Sequence, residues 1–156
     1  MPRQTDIYQI LTSCVDLLKP NADQKGISIE LDAQTETVWC DEVSMHTVFR
    51  NLISNSIKFS KEEGIIKIKT HKNIDTVSVS VSDSVIGMTP EVLKRIFYKN
   101  EHYSSSGTHN EQGTGLGLML VKDFVEKNFA KLNVQSKSGE GTTITIDIQL
   151  NNPLEI

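Results

Sequence analysis

Residues 51–60 read Asn51-Leu52-Ile53-Ser54-Asn55-Ser56-Ile57-Lys58-Phe59-Ser60, within a run whose apolar residues recur at helical spacing. At about 100° per residue, Asn51, Asn55 and Lys58 share one narrow stripe. Met45, Val48, Phe49, Leu52, Ile53 and Ile57 fall on the other side and can pack on a core. Two amides and an ammonium could be ordinary exposed helix residues. Aligned in one row, they suit a metal-bound polyphosphate. An amide oxygen ligates Mg²⁺, and a lysine neutralises phosphate oxygens.

Downstream, Gly113-Thr114-Gly115-Leu116-Gly117-Leu118 leads into an apolar helical run from Leu118 to Val125. Alternate glycines let a backbone approach a ligand closely. A helix opening there presents N–H groups and a positive dipole end to an anion. The spacing is neither a dinucleotide fingerprint nor a P-loop, because no first strand precedes it and no Gly-Lys-Ser/Thr follows.

Composition sets wide bounds. At 156 residues the chain is long enough for one well-filled core, and residues 1–150 are expected to form a single domain with 151–156 as a tail. A net charge of −4, with scattered Lys and Arg, argues against nucleic acid or an anionic membrane as a partner. No apolar run reaches membrane-spanning length, and no signal peptide opens the chain. Cys14 and Cys40 read as reduced, packed thiols of a cytosolic protein, and no His/Cys cluster has zinc spacing.

Along the chain, helix and strand patterns alternate. Asp6 to Lys19 carries Ile7, Ile10, Leu11, Val15 and Leu18 at helical spacing, and Pro20 discourages continuation. Ile27 to Leu31 and Val38 to Cys40 read as short strands. Ile65 to Thr70 alternates Ile66 and Ile68 with Lys67 and Lys69; Val77 to Ser82 alternates valine with serine. A helix is expected near Thr89, an N-cap followed by Pro90. Lys99 to Gln112 offers little to bury and reads as a long functional loop. Ile144, Ile146, Ile148 and Leu150 alternate in a last strand.

In this order and at this spacing, the segments resemble the ATP-binding catalytic domain of sensor histidine kinases. That domain belongs to the gyrase, chaperone, histidine-kinase and mismatch-repair ATPase superfamily. Asp6 to Leu31 looks like the family's opening helix and first strand, Asp41 to Ser60 like its N box, and Asp83 to Met88 like its G1 box. Arg95-Ile96-Phe97 resembles the F box, Gly113 to Leu118 the G2 box, and Gly139 to Ile148 the closing hairpin. The resemblance implies a two-layer α/β sandwich of the Bergerat type. Its mixed sheet would have about five strands, covered on one face by about three helices. The faces of Val77 to Val81 and Ile144 to Leu150 should then pack on the N-box helix, with Ser78 and Ser80 outward.

The resemblance also implies roles. Asn55 would be the Mg²⁺ ligand, Lys58 a phosphate contact, Phe59 the pocket wall, and Asn51 a supporting residue one turn earlier. Asp83 would read the adenine amino group, with Thr143 assisting, and Gly87 of the G1 box would also bind the nucleotide. N–H groups around Gly113, Thr114, Gly115, Leu116, Gly117 and Leu118 would cradle the phosphates, and Tyr98 to Gln112 would form a lid over ATP. The implied reaction moves the γ-phosphoryl group of ATP to a histidine on a dimerisation domain, then to an aspartate on a response-regulator receiver domain. His46, His71, His102 and His109 do not sit in a phospho-accepting motif. The acceptor helix is therefore expected outside this chain, which would not autophosphorylate alone. The expected location is cytoplasmic, without direct membrane contact, whether or not a parent protein is membrane-anchored.

Three departures stand out. The G1 box reads Asp83-Ser84-Val85-Ile86-Gly87, with Val85 where the family carries glycine. A β-branched residue resists φ > 0 and fills space. This motivates an alternative, a degenerate kinase domain that binds nucleotide weakly and acts as a regulatory or scaffolding module. Tyr98-Lys99-Asn100 replaces a second F-box aromatic. Phe129-Ala130 replaces the Gly-Gly pair after the G2 helix, a change confined to the helix exit. A third option, a stand-alone serine kinase acting on a sigma factor, fits the long lid poorly.

Overall fold

A computed structural model describes residues 1–83, 116–137 and 141–155. In chain order the elements are β1 (Arg3–Asp6), α1 (Ile7–Gln24), β2 (Ser28–Asp32), β3 (Thr37–Cys40), α2 (Glu42–Phe59), β4 (Ile65–Lys72), β5 (Thr76–Asp83), α3 (Leu116–Lys127), β6 (Lys131–Lys137) and β7 (Gly141–Gln149). Five strands form a mixed sheet in the order β2-β4-β5-β7-β6, in which only the β2–β4 pair is parallel.

Period-2 patterning sets the faces of this sheet. Ile66, Ile68, Val77, Val79, Val81, Ile144, Ile146 and Ile148 are buried, while Ser78 and Ser80 lie on the opposite, partly open face. Register aligns them in rungs, with Val79 opposite Ile146 and Val81 opposite both Ile68 and Ile144. The helices cover the apolar face. Met45, Val48, Phe49, Leu52, Ile53 and Ile57 of α2 join Ile7, Leu11 and Leu18 of α1 and Val121 and Val125 of α3 in one core. The expected register and the expected layering are both observed.

Caps delimit the helices. Asp6 accepts from the Tyr8 N–H at 3.0 Å, and Asp41 accepts from the Ser44 N–H at 3.0 Å. At the exit of α1 the Gly26 N–H reaches the Asp23 carbonyl and the Ile27 N–H reaches the Ala22 carbonyl, with Gly26 at φ +67°. This is a Schellman motif. The same pair of bonds closes α3, from Phe129 to Glu126 and from Ala130 to Val125, but there the left-handed position is Phe129 at φ +58°.

One expectation needs correction. Pro20 does not end α1, which continues to Gln24. Proline removes the N–H that would bond the carbonyl four residues earlier. Pro20 and Asp16 both lie on the exposed stripe, so water can serve that carbonyl, while Ala22 is still buried beyond it. Val38 to Cys40 is a strand, as expected, and β3 pairs antiparallel with β1 in a separate two-stranded ribbon. One edge of the main sheet is β6, a strand the sequence did not single out because the alternation of Leu132 and Val134 with polar neighbours is weak. The expected helix at Thr89, the F box, the lid and the G1 residues after Asp83 lie outside the described residues.

Candidate functional site

Chain direction brings several elements to one end of the sheet. β5 ends at Asp83, and β4, antiparallel to it, begins at that same end, with Lys67 opposite Ser82. Residues 60–64 join the end of α2 to Ile65, so Lys58 and Phe59 stand at that end too. The opposite end holds the start of β6, where Lys131 pairs with Asp147. Residues 128–130 connect it to the end of α3, so α3 points its Leu116 terminus back toward the Asp83 end. Asn128 confirms this antiparallel arrangement of α2 and α3. Its Oδ1 accepts from the Asp41 N–H at 2.7 Å, tying the exit of α3 to the start of α2.

On the helix-facing side of the sheet, the apolar rungs give way to a polar one. After Val134–Ile144–Val81 comes Ser136–Thr142–Asp83. The Thr142 N–H donates to Asp83 Oδ1 at 3.3 Å, and the Thr142 and Ser136 hydroxyls are 2.8 Å apart. A carboxylate offers about four acceptor positions, so this bond orients Asp83 without exhausting it. Thr142 is buried.

Thr143 does not belong to this rung. Its hydroxyl lies 3.0 Å from that of Ser82, on the other face of the sheet. Strand alternation makes the reason plain: Thr142, not Thr143, shares parity with Ile144, Ile146 and Ile148. The partner of Asp83 is therefore Thr142, and the alternation of the last strand carried the signal for it.

On α2, Asn51, Asn55, Lys58 and Phe59 are half-buried. Neither asparagine amide is committed to a hydrogen bond among the described residues. The Lys58 ammonium lies 4.8 Å from the centroid of the Phe59 ring, a cation–π contact. Lys25, which the sequence did not single out, donates from Nζ to the carbonyls of Ile57 and Lys58 at 3.0 Å each. Leu118 is buried in the core, so it serves packing through its side chain. Leu116 and Gly117 fall in the first turn of α3, whose leading N–H groups have no intrahelical partner. Gly87, Gly113, Thr114 and Gly115 lie outside the described residues.

Among the described residues no group of three or more His, Cys, Asp or Glu side chains could hold a metal ion by itself. The Asn55 amide, not committed to a hydrogen bond among the described residues, offers the kind of hard oxygen that Mg²⁺ takes alongside phosphate and water.

Known proteins share this fold. The chain is 32% identical over 126 residues to the heme sensor protein HssS of Staphylococcus saprophyticus, covering 81% of this chain and 26% of that protein. It therefore spans about a quarter of that relative's length. The catalytic domain of histidine kinase ThkA, solved free of nucleotide, superposes with a TM-score of 0.82 at 22% identity, covering 96% of each chain. Histidine kinase ThkA solved in complex with the response regulator protein TrrA superposes at 0.74 with 18% identity, covering 96% of this chain and 42% of that one. Residues 40–152 match the family model of histidine kinase-, DNA gyrase B- and HSP90-like ATPases, and the chain belongs to that family, with the fold of a histidine-kinase catalytic domain.

Proposed function

We propose that this chain is the ATP-binding catalytic domain of a sensor histidine kinase, presenting the γ-phosphoryl group of ATP to a histidine on a dimerisation domain. One observation carries the reading. The Asn51–Asn55–Lys58 stripe ends at the same edge of the fold as the Asp83–Thr142 rung and the first turn of α3. That shared edge supports a single site with an adenine reader, a phosphate-facing helix start and an amide–ammonium row.

Within that site Asp83, oriented by the Thr142 N–H, accepts from the exocyclic amine of the base. Phe59 walls the pocket. Asn55 offers its amide oxygen to Mg²⁺, with Asn51 beside it one turn earlier, and Lys58 meets the phosphates. In this reading the N–H groups of Leu116, Gly117 and Leu118 serve the anion, and Gly113, Thr114 and Gly115 are assigned to the same phosphate site from their sequence. Gly87, in the G1 box, is assigned to the nucleotide site as well. Bound MgATP supplies the phosphoryl group; the protein supplies position and charge neutralisation.

The partners in this reading are the histidine-bearing dimerisation domain and a response-regulator receiver domain. The solved complex of ThkA with TrrA supports the second. No described helix is long and apolar enough to cross a membrane, and we assign the domain to the cytoplasm.

The decisive experiment is titration of a non-hydrolysable ATP analogue with and without Mg²⁺, for the wild type and Asn55→Ala. The variant should lose the Mg²⁺-dependent part of binding. Its melting temperature should stay within about 2 °C of wild type, because a half-exposed amide adds little to the core. Unchanged Mg²⁺-dependent binding would remove Asn55 from the site.

A further inference from the structure

The last carbonyls of an α-helix have no intrahelical donor, and together they form its negative end, equivalent to about half an elementary charge. In α2 the Ser56 carbonyl is taken by the Ser60 N–H at 3.0 Å. The next two, of Ile57 and Lys58, both accept from Lys25 Nζ. Lys25 is the cap residue at the exit of α1 and is only 6% exposed. Its own carbonyl accepts from the Glu63 N–H at 3.0 Å. One buried residue thus braces the exit of α1, the end of α2 and the loop that enters β4.

This brace sits where charge matters. Lys58 and Phe59 belong to the very turn whose carbonyls Lys25 holds. A polyphosphate approaching Lys58 would otherwise meet the negative end of α2. An ammonium seated on those carbonyls offsets that repulsion and keeps the turn from fraying. We propose that Lys25 is a positioning residue for the polyphosphate: it holds the last turn of α2 and neutralises its carbonyl end, so that Lys58 can engage phosphate. The proposal rests on the reading of Lys58 as a phosphate contact.

Lys25→Met keeps most of the aliphatic stem and removes the charge. Adenosine, ADP and a non-hydrolysable ATP analogue are titrated in Mg²⁺ against the wild type, Lys25→Met and Lys58→Ala. Lys25→Met should weaken the ATP analogue by about tenfold, ADP by less, and adenosine by less than about twofold. An equal loss for all three ligands would mean general packing damage, and no loss on the analogue would mean no role; either overturns the proposal. An ATP-analogue affinity untouched by Lys58→Ala would instead bring down the phosphate reading on which it rests. If Lys25→Met does not fold, the wild type decides. The side-chain ¹⁵Nζ resonance of Lys25 should shift on adding the ATP analogue and shift less with adenosine, whereas no shift with the analogue overturns the proposal.

Discussion

Phe129 occupies a backbone position that favours glycine. It sits at φ +58°, in the left-handed place of the Schellman motif that closes α3, where Gly26 serves at the exit of α1. A side chain there costs about 1–2 kcal/mol relative to ordinary helical backbone. The ring is 43% exposed, so its burial offsets only part of that cost. Phe129→Gly should stabilise the domain by about 0.5–1 kcal/mol, once the greater freedom of glycine in the unfolded chain is counted. The check is urea unfolding, as a higher midpoint at unchanged slope. A lower midpoint would show that contacts of the ring outweigh the strain. In sequence Phe129 looked like a change confined to a helix exit; the dihedral angle locates the strain at that exit.

Elements are joined by latches that no periodicity announces. Asn128, 3% exposed, accepts from the Asp41 N–H and donates from Nδ2 to the Ser44 hydroxyl at 2.9 Å and to the Phe124 carbonyl at 2.7 Å. It welds the end of α3 to the first turn of α2. Removing it leaves the partly buried Asp41 N–H without its acceptor and the Ser44 hydroxyl without its donor, and each such loss costs about 1–3 kcal/mol. Asn128→Ala should therefore lose about 2–4 kcal/mol in chemical denaturation. The latch lies at the far end of α3, a 12-residue helix and so about 18 Å from the Leu116 terminus. Nucleotide affinity of the folded variant should stay within about threefold of wild type. A stability loss under about 0.5 kcal/mol would mean that water replaces the amide. Lys25 braces the other end of α2, so this helix is clamped at both termini.

At the scale of the molecule, the core holds two thiols. Cys14 and Cys40 are fully buried, and removal from water pushes both thiols up to about 11 from an ordinary 9.0. A raised native value means that the folded state binds more protons than the unfolded chain in that window. Their contribution is therefore complete below pH 9 and is lost as pH rises through about 11. The wild type should lose urea stability across this range more steeply than a Cys14→Ala/Cys40→Ala variant. Parallel curves would show that the thiols do not drive the decline. At pH 8 a thiol reagent should label neither cysteine until the protein unfolds.

What could be read without coordinates was local. Valine–serine and isoleucine–threonine alternation identified the buried face of β5 and β7, and a 3.6-residue period put Asn51, Asn55 and Lys58 in one row. Both follow from backbone geometry, which a residue imposes on its neighbours. What needed the tertiary structure was long-range. That β3 pairs with β1 outside the main sheet, and that β6 forms one edge of that sheet, depends on strands brought together from distant parts of the chain. That Thr142 rather than Thr143 faces Asp83 depends on register between two strands about 60 residues apart, although parity alone pointed there. Lys25 and Asn128 act through hydrogen bonds to carbonyls and N–H groups of a helix remote in sequence. Every residue carries those backbone groups, so no spacing of side chains reveals which ones a distant lysine or asparagine will find.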